Sequence, residues 1–321
     1  MTLEDLKNYT VAIRKPASIS YRDYKINSCS APSSGIVAAS VMKIIEGYTD
    51  IGQAATINES THLFDEALRF AYGQRSNLGD PLFVEGLDEY QADMISEATA
   101  SAVRAKINPL HTLNTSAYDP SGFESLQTHG TSAVVTSDAS GMAVSLTTTV
   151  NLLFGSHIMV PETGVIMNNE MNDFSIPGSS NAFGYVPSPA NYIRPGKRPL
   201  SSISPTIVEH ANGTLYFVVA SAGGSRIITA VLQNLWHVLD QNATAPEALA
   251  APRLHDQLTP NTVSLEYAYN NETAAFLRER GHNVTYTAPG GSTAQSLRRL
   301  SNGTFEAAGE PRQLNSGGFA V

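Results

Sequence analysis

At Gly130-Thr131 the sequence changes its periodicity from helical to extended, so the two sides of that junction must fill different layers of any fold. Upstream, SSGIVAASVMKIIEGY starts from a cap at Ser33 or Ser34 and sets Ile36, Ala39, Val41, Ile44 and Ile45 on one apolar side. THLFDEALRFAYGQRSNLGDP repeats the pattern with Leu63, Ala67, Phe70 and Ala71 and stops at Gly79 and Pro81; YQADMISEATASAVRAKI predicts a third helix. From Ile107 to Gly130 the chain is rich in Asn, Ser, Thr, Pro and Gly without apolar period, which marks a loop or linker. Downstream, TSAVVTSDASGMAVSLTTTVNLLFG predicts two strands joined at SDASG, and TIVEHANGTLYFVVAS predicts a hairpin about Asn212-Gly213. NTVSLEYAY reads as a further strand. GGSRIITAVLQNLWHVLD predicts a helix opened by a glycine pair, and ETAAFLRERGHNVTYT a helix stopped at Gly281 and followed by a strand. This order suits a layered α/β domain with an antiparallel or mixed sheet.

The 321 residues carry a formal charge of −9, which argues against a nucleic-acid or anionic-membrane surface built from clustered Lys and Arg. A single cysteine, Cys29, rules out an intramolecular disulfide and any cysteine-based metal cluster. The longest uncharged stretch, Ala139 to Pro161, is too polar for a bilayer span and is expected to be buried strand. Asn-x-Ser/Thr sequons stand at Asn8, Asn58, Asn114, Asn212, Asn242, Asn271, Asn283 and Asn302, where random placement gives about four. The excess points to the secretory pathway, although the opening MTLEDLKNYT has neither the basic start nor the apolar core of a signal peptide.

Neither an H-E-x-x-H spacing nor an acidic loop with a glycine turn is present, so a metal enzyme is disfavoured; GxSxG and phosphate-loop patterns are missing too. Thr131 admits two readings. Either it starts a strand and nothing more or, if the chain cuts itself before it, the freed amine becomes the base that activates its hydroxyl. The small, flexible Gly130 suits the second reading.

The blocks HGTSAVVTSDASGMAVSLTTTVNLLFGS, VPETGVIMNNEMNDFSIPG, SPANYIRPGKRPLSSISPTIV, ASAGGSRIITAVLQ, APRLHDQ and GGSTAQSL resemble the γ-glutamyltranspeptidase family. APSSG, LFDEALRFAYGQRSNLGDP and TLEDLKNY resemble the end of that family's large subunit, so the likeness covers essentially all residues. It implies the four-layer αββα sandwich of N-terminal nucleophile hydrolases, shortened at its N-terminus. It also implies a precursor cut at Gly130-Thr131 into residues 1–130, the C-terminal part of a large subunit, and residues 131–321, the small catalytic subunit.

The resemblance assigns roles. Thr131 would attack the γ-carbonyl of glutathione or another γ-glutamyl amide, and the acyl-enzyme would pass to water, an amino acid or a peptide, without a cofactor. Thr149 would orient the nucleophile, and the Gly223 and Gly224 amides, ahead of a helix, would hold the oxyanion. Asn151, Glu170 and Asp173 would take the α-ammonium, and Ser201 with Ser202 the α-carboxylate. Two residues beyond the nucleophile, where the family usually has His, stands Ala133, and His129 precedes the cut. No residue matches the family's carboxylate-gripping arginine; Arg22, Arg69 and Arg75 are read as surface or structural. Full-length members of the family are secreted, vacuolar or at the cell surface. Two other readings stand beside this one: an inactive fragment or degenerate paralogue, and a cephalosporin or glutaryl acylase, which would not need Glu170, Asp173 and both serines.

Overall fold

Apolar runs of β-branched residues alternate here with amphipathic helices, and the computed structural model, which describes residues 2–119, 121–123, 130–178 and 187–320, stacks them in layers. The chain begins with α1 (Leu3–Asn8), the hairpin β1 (Ala17–Tyr21) and β2 (Tyr24–Ser28), then α2 (Gly35–Glu46), α3 (Ile57–Arg75), α4 (Leu87–Met94), α5 (Glu97–Arg104) and α6 (Thr115–Tyr118). After the junction come β3 (Thr131–Ser137), β4 (Ala143–Thr149), β5 (Met159–Val160), β6 (Val165–Ile166), β7 (Thr206–His210) and β8 (Leu215–Ala222). The remainder is α7 (Arg226–Asp240), α8 (Ala245–Ala250), β9 (Leu254–His255), β10 (Val263–Glu266), α9 (Asn271–Glu279), β11 (Val284–Thr287), β12 (Thr293–Arg299) and β13 (Phe305–Ala308).

A six-stranded antiparallel sheet in the order β1-β2-β7-β8-β12-β13 forms the middle layer. Helices α2 and α7 cover one face and α3 packs on α2, its Phe64 stacking on Trp236 of α7 at 4.7 Å. The β3–β4 hairpin packs on the other face and begins a second sheet. β8 is therefore covered on both sides, which explains its almost uninterrupted apolar run. Its Phe217 and Val219 join the main core, whereas Leu215 and Val218 pack with Leu297, Val135 and Ala143 against the hairpin. A small sheet, β11-β10-β9, pairs β10 in parallel with β11 and antiparallel with β9, so of the two expected arrangements, antiparallel or mixed, the large sheet takes the first and the small sheet the second.

Two expectations need correction. The third helix is two: the Ser96 hydroxyl accepts from the Thr99 amide and caps α5, breaking the run after Met94. The uncharged stretch from Ala139 to Pro161 is not buried strand. Only Ala143–Thr149 of it forms a long strand, whose outward residues Val144 and Leu146 are half exposed, and Leu153 and Phe154 are each 70% exposed. No helix among the described residues is long and apolar enough to cross a membrane.

Candidate active site

The β3–β4 turn fixes the register that builds the site. Asp138 Oδ1 accepts from the Met142 amide (3.0 Å) and the Ser140 hydroxyl (2.7 Å), closing the SDASG turn and setting Thr131 directly opposite Thr149. The Thr131 hydroxyl donates to Thr149 Oγ1 at 3.3 Å, and the Thr149 hydroxyl donates to the Gly130 carbonyl, also at 3.3 Å. The Asn151 amide donates to Thr149 Oγ1 at 2.8 Å. One hydroxyl thus touches both partners of the Gly130-Thr131 bond. Gly130 has φ +137°, and a Cβ built there would lie 2.4 Å from the backbone of Leu152, so only glycine fits. Ala133 lies on the same strand face as Thr131; His129 is outside the described residues.

Beyond β4 the chain turns through Asn151, at φ +72°, and reaches a short 3-10 turn at Glu170–Asp173. The Asn151 side-chain amide donates to Asp173 Oδ1 at 2.6 Å, which leaves its own Oδ1 buried without a partner; Glu170 Oε1 is likewise buried and unpartnered. Burial, then the neighbouring Asp173 charge, pushes Glu170 up to about 7. Burial also raises Asp173, against the Arg75 charge. Two orphaned acceptors beside a coupled carboxylate pair form a socket for a donor that carries positive charge.

Ser201 lines the cleft that Glu170 also lines, and Ser202 beside it is buried. The Ser201 amide donates to the Pro32 carbonyl at 2.8 Å, the Ser34 hydroxyl donates to the Ser201 carbonyl at 2.6 Å, and Arg75 Nη2 donates to Ser202 Oγ at 3.0 Å. The cleft that reaches Thr149, Glu170 and Ser201 holds about 660 Å³, and Arg14, Lys15 and Arg198 give its wall a basic side. Cys29 lines it as well, but burial pushes its thiol up to about 11, so it offers no thiolate. A larger groove of about 1010 Å³, between β3, β12 and the C-terminal segment, contains none of the candidate residues.

Gly223 and Gly224 follow β8 and precede α7. Gly141 lies against Leu215, and the Ser145 hydroxyl donates to the Val219 carbonyl, so β4 and β8 run in the same sense. The Thr149 end of the hairpin therefore lies toward the Gly223 end of β8. Among the described residues neither glycine amide donates a hydrogen bond. Gly223, at φ +133°, has a packing reason of its own: a Cβ would stand 2.6 Å from the Gly291 carbonyl.

The arginines divide. Arg22 is partly exposed on Asp240, whereas Arg69 and Arg75 are buried, Arg69 in an ion pair with Asp256 at 2.8 Å. Sequence reasoning overlooked that Arg75 meets a candidate serine, although Phe64, Leu68, Tyr72 and Arg75 share a helical phase that places it on the buried face. It also overlooked a buried group across α3 and the α9–β11 turn. His62 Nδ1 lies 2.7 Å from His282 Nε2, and His62 Nε2 lies 2.8 Å from the Asn108 carbonyl. His282 Nδ1 is 3.0 Å from Asp65, and Glu66 accepts from the Tyr118 hydroxyl. Burial drives both histidines down to about 4 and Asp65 up to about 7. His62, Glu66 and His282 have the chemistry of a metal trio. Two nitrogens on one tetrahedral zinc stand roughly 3.3 Å apart, however, and 2.7 Å is the distance of a shared proton. The His62–His282 hydrogen bond ties α3 to the C-terminal half, while His282 Nδ1 and the Asp65 oxygens stay buried without hydrogen-bond partners among the described residues.

This geometry can be set beside known proteins. The family model described as Gamma-glutamyltranspeptidase matches residues 1–319. A glutathione hydrolase proenzyme of Arthroderma benhamiae is 56% identical over 321 residues, all of this chain and 55% of that protein. A glutathione hydrolase of Aspergillus flavus is 47% identical over all of this chain and 54% of its own length. The chain thus spans about half the length of these curated relatives. A solved γ-glutamyltranspeptidase mutant of Helicobacter pylori is 38% identical at a TM-score of 0.52, covering 56% of this chain and 99% of that one. A cephalosporin acylase from Bacillus halodurans superposes at a TM-score of 0.81 over the whole chain and 55% of its own, and at 23% identity it shows the shared fold alone. The fold is that of the N-terminal nucleophile hydrolases, and with a family match running almost end to end through both sides of the Gly130-Thr131 junction, the chain belongs to the γ-glutamyltranspeptidase family.

Proposed function

We propose that this chain carries the catalytic centre of an autoprocessing γ-glutamyl transferase and glutathione hydrolase. The observation that carries the reading is the hydroxyl pair at the junction, Thr131 on Thr149 and Thr149 on the Gly130 carbonyl. Before cleavage, Thr149 polarises the Gly130 carbonyl while Thr131 Oγ attacks it. The peptide C–N bond breaks as a Gly130–Thr131 ester forms, the hydroxyl proton passing to the departing nitrogen so that the Thr131 amine is freed, and water then hydrolyses the ester to a Gly130 carboxylate and the Thr131 hydroxyl. That amine takes the hydroxyl proton when Thr131 attacks a γ-glutamyl carbonyl.

The substrate roles follow the charges. Asn151, Glu170 and Asp173 receive the α-ammonium, whose protons satisfy the two orphaned acceptors. Ser201 and Ser202 take the α-carboxylate, and the Gly223 and Gly224 amides receive the oxyanion. Arg14, Lys15 and Arg198 suit an anionic γ-glutamyl peptide such as glutathione. Acyl transfer then goes to water, an amino acid or a peptide. Residues 1–130 and 131–321 are read as parts of one precursor's large and small subunits. The eight sequon asparagines are exposed or half-buried, in keeping with passage through the secretory pathway.

Intact-mass measurement after prolonged incubation, with amine release from a γ-glutamyl anilide, tests the reading. Two fragments meeting at Thr131 and steady release are expected, and Thr131→Ala should abolish both. A single uncut chain without release would instead establish the inactive-fragment reading.

A further inference from the structure

Arg75 ends α3 and lies beneath the Ser201-Ser202 segment, only 6% exposed. Its Nε donates to Ser34 Oγ and its Nη2 to Ser202 Oγ, both at 3.0 Å. Ser34, holding that nitrogen, spends its own proton on the Ser201 carbonyl. Among the described residues no carboxylate lies within ion-pair distance of the guanidinium; burial disfavours its charge, and Tyr72 and then Asp173 favour it. A buried cation held by hydroxyls alone is costly, and such an arrangement persists where an anion completes it. The hydrogen-bond directions add a second constraint. Ser202 Oγ accepts from Arg75, so its single proton is turned away from the guanidinium and free to donate.

We propose that Arg75 is the positioning residue for a substrate α-carboxylate. It aims the Ser202 hydroxyl, fixes the Ser201 backbone through Ser34, and supplies the counter-charge from beneath. The inference rests on the γ-glutamyl reading above and assigns its carboxylate specificity to a residue upstream of the junction.

Two substrates separate this role from a merely structural one: a γ-glutamyl anilide, and the 4-aminobutanoyl anilide that lacks only the α-carboxylate. Arg75→Lys keeps the charge but loses the fork and should raise KM for the first about tenfold; Arg75→Met should raise it about a hundredfold, with kcat changed less than KM. KM for the second substrate should move far less, because only the ammonium site, through Asp173, feels the Arg75 charge there. Ser34→Ala, which deletes one hydroxyl, should cost a few-fold on the first substrate alone. Thermal melting and the extent of Gly130-Thr131 cleavage report folding. Equal losses on both substrates, or a wild-type KM in Arg75→Met, would overturn the proposal. If the wild-type protein turns over neither substrate, the γ-glutamyl activity fails, and calorimetric titration with L-glutamate against 4-aminobutanoate still decides. A preference for glutamate that is lost in Ser34→Ala and Arg75→Lys supports the role of Arg75, and no preference in the wild type refutes it.

Discussion

Glu170 ties binding to pH in a way that can be worked out from the site. Its carboxyl is raised to about 7 by burial and by Asp173, and only its ionised form accepts an ammonium group without loss of charge. One proton competing at an apparent pKa of about 7 weakens binding by one plus ten to the power of 7 minus the pH, or about elevenfold at pH 6, twofold at pH 7 and hardly at all at pH 8. Calorimetric titration with L-glutamate from pH 5.5 to 8.5 reads the effect directly, since glutamate has no scissile amide. Affinity should rise about tenfold from pH 6 to pH 8, and Glu170→Gln should flatten the curve while lowering its plateau. The free protein behaves oppositely. A carboxyl raised in the folded state costs stability as pH climbs from its ordinary range through about 7, so the thermal shift induced by glutamate should grow over the same window. A pH-independent affinity in the wild type, or an unchanged slope in Glu170→Gln, would refute the assignment.

Gly130→Ala places a Cβ 2.4 Å from the Leu152 backbone at a φ that L-residues rarely adopt. It should lower the melting temperature and stop cleavage at the junction, both visible by calorimetry and intact mass. Arg69→Met leaves Asp256 and Asp65 buried without their cation and should cost about 3–5 kcal/mol in chemical denaturation. Phe64→Ala removes the ring that stacks on Trp236 and should cost about 3–5 kcal/mol with a change in Trp fluorescence. Asn58 accepts from Thr273 Oγ1 within α3, whereas Asn212 and Asn302 stand at exposed turns. After expression through a eukaryotic secretory pathway, glycopeptide mass spectrometry should find sugar at the turns and little at Asn58.

Local pattern announced most of the elements because each was bounded by residues with one conformational use. The Asp138 and Asn212 turns and the glycine pair before α7 stand where their side-chain hydrogen bonds or positive φ require. The break at Ser96 was missed because Ala-rich periodicity continues across it, and only the cap decides. The apolar character of Val144, Leu146, Leu153 and Phe154 suggested burial, yet pattern states only that a residue would gain from being covered. The candidate site was named by resemblance through its distinctive blocks, while the buried groups around it were not. Arg75, Ser34 and the His62–His282 pair meet their partners over separations of up to 220 residues, beyond the reach of local periodicity. A helical-wheel reading of α3 already puts Arg75 in phase with Leu68 and Tyr72, but it cannot name the serine above them.

The position of these supports bears on what a cut at Gly130-Thr131 would do. The bond joins two parts of the chain, but the middle sheet does not respect that division: β2 pairs with β7 through five residues, from Tyr24 against His210 to Ser28 against Thr206. The helix layer is crossed by Phe64 on Trp236, the Tyr72 hydroxyl on the Ser225 carbonyl, and Arg69 on Asp256. Arg75 and Ser34 come from upstream, Ser202 and Asp173 from downstream. Cleavage would therefore free a threonine amine at a hairpin end without loosening the sheet or the pocket. It would also remove a restraint that holds Gly130 tightly against Leu152 and Asn151. Both fragments should stay together through gel filtration and separate only under denaturant, since the contacts that join them are core contacts. Dissociation in mild buffer after cleavage would mean that the continuous chain, and not the shared sheet, keeps the site assembled.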